Sequence, residues 1–153
     1  MMPSATDRMS ARLLTPSWFS IFEMILIWLP WASRISCTVI WEYFFLAKSP
    51  LITAVGTGGI MYQTVNGFMG AAAMEMIRQY SFDRAFVGTC GLDLTDASIT
   101  TLGVEDGLTK KAAIESSRHK YAVMEREKFY FNESYKFTQL DQLDGIITDE
   151  FPD

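Results

Sequence analysis

The chain has 153 residues, 49% of them hydrophobic and 20% charged, with a formal net charge of −5. That length supports one domain with one sizeable core, and the composition excludes a disordered chain. An acidic chain without a lysine and arginine cluster lacks the electrostatic footprint of phosphate-backbone binding, so direct nucleic-acid binding by this chain is not expected. Cys37 and Cys90 lie far apart and the single histidine is His119. No metal site, cofactor or disulfide framework is therefore expected, and a reducing cytoplasm fits.

Residues 1–10 read as a loose, polar start, and the domain proper is expected over residues 11–153. Arg8 and Arg12 precede apolar sequence, but no small-residue cleavage site follows it, which argues against export. Ala11–Pro16 is expected to close a short helix, because Pro16 disfavours helical geometry at Thr15. Trp18–Trp31 has almost no polar face. It is about fourteen residues, short of the roughly twenty that span a bilayer, and Glu23 interrupts it, so a buried strand or helix is expected.

Ile35–Ile40 is rich in β-branched residues and predicts a strand; Trp41–Ala47 predicts a helix ending before Pro50. Leu51–Val55 predicts a second strand, closed by Gly56, Gly58 and Gly59. Met61–Val65 is expected to extend again before a turn at Asn66-Gly67. Ala71–Tyr80 has helical composition, with Met69, Ala73, Met76, Ile77 and Tyr80 on one face.

Phe82–Asp93 is the organising stretch. Its apolar centre, Ala85-Phe86-Val87, stops at Gly88 and Gly91, which reads as a buried strand opening into a glycine loop. In open α/β sheets ligands bind at that edge of the sheet, and glycines there let backbone N–H groups approach them. Leu94–Thr101 is expected to be an exposed polar connection. Val104–Arg118 predicts a helix with Val104, Leu108 and Ala112 inward, and His119 near its end as a surface residue. Lys120–Met124 and Gly145–Thr148 predict the closing strands. Alternation of strands and helices implies an α/β fold with a parallel sheet and right-handed crossovers.

Several motifs stand in consistent order: Gly58-Gly59, Phe68-Met69-Gly70, Phe82 to Gly91, Glu105 with Lys110-Lys111-Ala112, Lys128-Phe129, and Ile146-Ile147-Thr148-Asp149. Over roughly residues 50–153 this series resembles the carboxyl-terminal effector domain of DeoR-family bacterial transcriptional repressors. The resemblance implies a Rossmann-like domain similar in fold to ribose 5-phosphate isomerases and coenzyme A transferases. It also implies a sensor of a phosphorylated sugar or related metabolite in carbohydrate metabolism, forming homo-oligomers or pairing with an intact homologue.

On that reading, Gly58, Gly59, Gly88 and Gly91 supply backbone N–H groups to a phosphate, Lys128 the cation, and Glu105 an acceptor for sugar hydroxyls; the plainer alternatives are a solvated lysine in the charged run Glu125-Arg126-Glu127-Lys128, and a Glu105 that simply favours the positive end of its helix. Cys90 reads as small packing between two glycines. The pattern departs from the family in four ways. No helix-turn-helix module precedes the sensor, which reads as an amino-terminal truncation. Aromatic residues fill 17–33 and 41–47, where phosphate and turn loops are expected, and a compensated frameshift would explain them. Tyr130 stands where glycine is usual. Two other readings stay open. One is a sugar-phosphate isomerase with Glu105 as base and Lys128 stabilising an enediolate. The other is a membrane-associated or non-functional fragment.

Overall fold

A computed structural model describes residues 25–28, 34–37, 48, 53–62 and 67–151. The elements in chain order are β1 (Ile25–Trp28), β2 (Arg34–Cys37), β3 (Thr53–Gly56), β4 (Ile60–Tyr62), β5 (Gly67–Met69), α1 (Ala71–Arg78), β6 (Phe82–Gly88), β7 (Gly91–Asp93), β8 (Ser98–Thr101), α2 (Val104–Glu115) and β9 (Ser117–Val123). A 3-10 helix (Arg126–Tyr130), β10 (Tyr135–Gln139), a short 3-10 helix (Leu140–Gln142) and β11 (Gly145–Ile147) complete it. The expected loose start over 1–10, the short helix Ala11–Pro16, the helix Trp41–Ala47 and Asn66 of the expected turn lie outside the described residues.

The main sheet has the order β11-β9-β6-β1-β2-β3. β11, β9 and β6 are parallel, as α2 returns the chain from one edge of the sheet to the other between β6 and β9. This is the Rossmann-like α/β arrangement that the strand and helix alternation implies. β1 departs from a strictly parallel sheet, running antiparallel to both β6 and β2. Only five residues separate β1 from β2, too few for a parallel crossover. Since β1 opposes both neighbours, β2 and β3 run in the same sense as β6.

A second, antiparallel sheet has the order β10-β8-β7, and β4 pairs with β5 in a small hairpin. Here the expectation of an exposed connection over Leu94–Thr101 fails. Residues 94–97 turn, but all four residues of β8 are buried. The threonine hydroxyls are absorbed by hydrogen bonds: Thr100 Oγ1 accepts from the Glu133 amide at 3.0 Å, and the Thr101 hydroxyl donates to Asp106 at 2.6 Å, while the buried Ser98 hydroxyl has no hydrogen-bond partner among the described residues. A Ser-Ile-Thr-Thr run therefore behaves as a central strand despite its hydroxyls.

α2 lies against α1, β6, β8, β9 and β10, so both sheets share it. The two sheets and α2 close one core around Ile77, Phe82, Val87, Ile99, Ala112 and Phe137. Val104 was expected inward and is 55% exposed, because the first turn of the helix lies at the edge of the core; Ala112 is buried and Leu108 half-buried. The helix also ends at Glu115, so His119 lies on β9, where it is exposed. No helix among the described residues is long and apolar enough to cross a membrane.

The buried face of α2 carries a charge pair. The Lys110 side chain is 0% exposed, its ammonium donates to Asp106 Oδ2 at 2.5 Å, and it lies 5.8 Å from the centre of the Phe137 ring. A buried ammonium is tolerated only when paired and hydrogen-bonded. Asp106→Ala is accordingly expected to destabilise the domain by about 3–5 kcal/mol, because it leaves that charge uncompensated. Asp106→Leu combined with Lys110→Met, which removes both charges, should recover most of that loss in urea unfolding. A double variant as unstable as Asp106→Ala would show that the pair itself, not the orphaned charge, sets the cost.

Candidate functional site

The parallel strands bring chain segments together at one edge. β6 and β9 are neighbours whose ends pair at Gly88 and Val123, and β11 pairs with β9 up to Ile147. The segments leaving these three strands therefore emerge side by side: Thr89-Cys90-Gly91, the turn carrying Lys128, and residues 148–151. β3 points to the same edge, so Gly58 and Gly59 emerge there too, three strands from β6 or roughly 14 Å along the sheet.

Gly88 and Gly91 flank the point where the chain leaves the parallel sheet for the antiparallel one. The Cys90 amide already donates to Thr100 O at 3.0 Å, extending the pairing of β7 with β8. Gly91 is obligatory for packing: a Cβ there would lie 2.2 Å from the carbonyl oxygen of Phe131. This close approach ties the glycine loop to the end of the 3-10 helix. Lys128 sits within that helix, 7% exposed, and the helix packs on β7. The structure thus joins Gly88, Gly91 and Lys128 in one group.

Glu105 belongs to a second group. Tyr62 of β4 donates its hydroxyl to Glu105 Oε2 at 2.8 Å, and that bond to a carboxylate raises the phenol above its ordinary range. A Cβ on Gly70 would lie 3.8 Å from the same Oε2. Gly59, at φ +103°, has a backbone conformation that L side chains rarely adopt, and a Cβ there would meet the Met69 carbonyl oxygen at 2.6 Å. Gly58, at φ +66°, is exposed beside it. Gly58, Gly59 and Glu105 therefore gather around the β4–β5 hairpin and the start of α1.

A buried hydrogen-bond chain links the groups. Thr101 gives its one hydroxyl proton to Asp106, which follows Glu105, so it accepts the thiol proton of Cys90, 3.4 Å away between Gly88 and Gly91. Lys110 also reaches Thr101 Oγ1, at 3.4 Å. Cys90 is small packing, as expected from its setting, with a thiol engaged in this chain.

Sequence reasoning missed three residues at this edge. Tyr62 gave no signal, because its partner is 43 residues away. Thr89 gave none either, though its Oγ1 is fully buried and has no hydrogen-bond partner among the described residues. Asp149 was visible only as part of a motif, and accepts from the Arg126 amide at 2.8 Å. Among the described residues no cluster of three or more His, Cys, Asp or Glu side chains is placed to hold a metal ion.

Beside the glycine loop, Asp93 closes β7. Its carboxylate accepts from the Thr95 hydroxyl and from the Thr95 amide at 3.0 Å, from Asn132 at 2.9 Å and from Lys136 at 3.1 Å. The bonds from Thr95 are the main cause that holds its pKa down, at about 2, with Lys136 adding to them. Lys136 also pairs with Asp96 at 2.5 Å, lowering that carboxyl in turn.

The DeoR C terminal sensor domain family matches residues 35–150. The chain is 30% identical over 95 residues to the glycerol-3-phosphate regulon repressor of Escherichia coli (strain K12), covering 62% of this chain and 37% of that protein. It is 26% identical over 124 residues to the HTH-type transcriptional repressor GlcR of Bacillus subtilis (strain 168), covering 78% and 47%. It is 25% identical over 92 residues to a lactose phosphotransferase system repressor of Staphylococcus epidermidis, covering 60% and 36%. The chain thus spans less than half the length of each of these relatives.

Because the folded pKa of Asp93 lies below its ordinary value of 3.8, its contribution to stability is present above that value and lost as pH falls from about 4 toward 2. Acid unfolding followed by amide exchange in β7 and β8 should show this loss in the native chain. In Asp93→Asn the same window should be flatter, with lower stability already at neutral pH. An unchanged acid slope in that variant would exclude the Asp93 cluster as its source.

Proposed function

The chain belongs to the DeoR C terminal sensor domain family, and on that premise we propose that it binds a phosphorylated sugar or related metabolite at the carboxyl edge of its parallel strands. In this reading it is the effector-sensing part of a transcriptional regulator of carbohydrate metabolism. Binding, not turnover, is its task, since the relatives named above are repressors. The observation that carries the reading is a single juxtaposition. A glycine loop at Gly88–Gly91 and a lysine, Lys128, follow two adjacent parallel strands.

A phosphate needs N–H groups that it can approach closely and a nearby cation. The loop offers the first and Lys128 the second. Glu105 suits the sugar: Tyr62 engages Oε2, leaving Oε1 to accept from a hydroxyl. Gly58, Gly59 and Gly70 shape the approach to that carboxylate. The buried chain from Cys90 through Thr101 to Asp106 holds the two groups in fixed relation.

The described residues contain α1 and α2 separated by strands, not the paired helices that read a major groove. On this reading the sensor works as a homo-oligomer or paired with a homologue in the cytoplasm.

Thermal unfolding in glycerol 3-phosphate, glucose 6-phosphate, fructose 1-phosphate, fructose 6-phosphate and inorganic phosphate tests this reading. A compound at about a hundred times its dissociation constant adds about 2.7 kcal/mol. In a domain of this size that raises Tm by roughly 5–11 °C. At least one sugar phosphate should do so, Lys128→Met should weaken binding at least tenfold and shrink the shift accordingly, and Glu105→Gln should weaken binding about tenfold. A midpoint unmoved by every compound, or a Lys128→Met variant that responds like the native chain, would overturn the assignment.

A further inference from the structure

The short 3-10 helix that carries Lys128 has an exceptional start. A helix of five residues with i to i+3 bonds is weakly held by its own backbone. Within it the Lys128 amide donates to Glu125 O at 3.0 Å, and the Phe131 amide closes the turn on Lys128 O at 3.3 Å. The residue at its amino end, Glu125, makes no side-chain capping bond. The cap comes instead from the far end of the chain, where Asp149 Oδ1 accepts from the Arg126 amide at 2.8 Å.

Further contacts reinforce that docking. The Thr148 hydroxyl lies 3.1 Å from Asp149 Oδ1 and 3.0 Å from Glu150 O, fixing the bend after β11. Arg126 pairs with Glu150 at 2.8 Å, and the rings of Phe129 and Phe151 lie 6.1 Å apart at their centres. Upstream, the Met124 amide donates to Ile147 O at 3.0 Å, so pairing of β9 with β11 runs directly into the capped turn.

We propose that Asp149 is a positioning residue for Lys128: by capping the turn from the segment after β11, it aims the Lys128 ammonium at the phosphate of the effector. The proposal rests on the assignment of Lys128 to the effector site. It goes beyond that assignment in making the carboxyl-terminal segment part of the sensor. The hydrogen bond from Arg126 is the main influence holding the Asp149 carboxyl below its ordinary range, so the capping oxygen stays ionised at neutral pH.

The test uses this chain and whichever sugar phosphate of the panel gives the largest thermal shift, with titration calorimetry as the readout. Asp149→Ala should weaken binding about fivefold, the effect of losing one helix cap. Asp149→Asn should stay within about twofold of the native chain, since asparagine caps as well as aspartate. Glu150→Gln should change little, because its ion pair is solvent-exposed. Added to Lys128→Met, Asp149→Ala should cost no further affinity, as two residues acting through one contact are not additive. A merely structural role would lower stability without that coupling.

Amide exchange of the ligand-free chain gives an independent measure. Arg126 and Phe131 should exchange about fivefold faster in Asp149→Ala and not in Asp149→Asn. Native affinity in Asp149→Ala, an equal loss in the Lys128→Met background, or unaltered exchange at Arg126 would overturn the proposal. If no sugar phosphate shifts even the native chain, the effector reading fails by itself, and exchange at Arg126 and Phe131 still decides whether Asp149 holds the turn.

Discussion

The buried ammonium of Lys110 is the constraint on which the rest depends. It has no exposure to water, so Asp106, Thr101 and the face of Phe137 must all be in place around it. Those three residues come from α2, from β8 and from β10. Satisfying one charge therefore docks the helix onto the antiparallel sheet in a single register. Because α2 also packs against β6 and β9, the same helix fixes the antiparallel sheet relative to the parallel one.

That arrangement determines what meets at the carboxyl edge. The chain crosses between sheets through Thr89 and Cys90, and the Cys90 thiol is drawn into the hydrogen-bond chain that ends on Asp106. Asp106 is adjacent to Glu105, which Tyr62 holds from the other side. A ligand that moved the glycine loop would thus act on a continuous set of bonded groups reaching the first turn of α2. On the opposite flank, Gly91 presses against Phe131, and Asp149 secures the far end of the same 3-10 helix. Lys128 is held between two anchors, each supplied by a different strand end.

Much of the local structure was legible because its signals are local. The apolar centre of β6 and its glycines, the composition of α1, and the alternation of strands and helices each rest on side-chain periodicity or backbone permissiveness within a few residues. The failures have a common cause. Ser98–Thr101 looks like a solvated connection until Thr100 and Thr101 find Glu133 and Asp106. Val104 looks inward from helical spacing, yet the first turn of α2 stands clear of the core. β10 is paired through β8, which lies more than thirty residues earlier in the chain, and no turn signal announces it.

By itself the sequence determined the α/β character of the domain, the central strand with its glycine loop, and the lysine that follows β9. Composition, periodicity and the lack of a Cβ act at each residue wherever the chain goes. Only the tertiary structure decided which polar groups could be buried, that Tyr62 would hold Glu105, and that Asp149 would cap the turn bearing Lys128. Those bonds join residues between 23 and 43 positions apart. Their partners become neighbours only when parallel strands deliver their carboxyl ends to one edge, and a hydroxyl or carboxylate carries no local mark of the partner that will satisfy it.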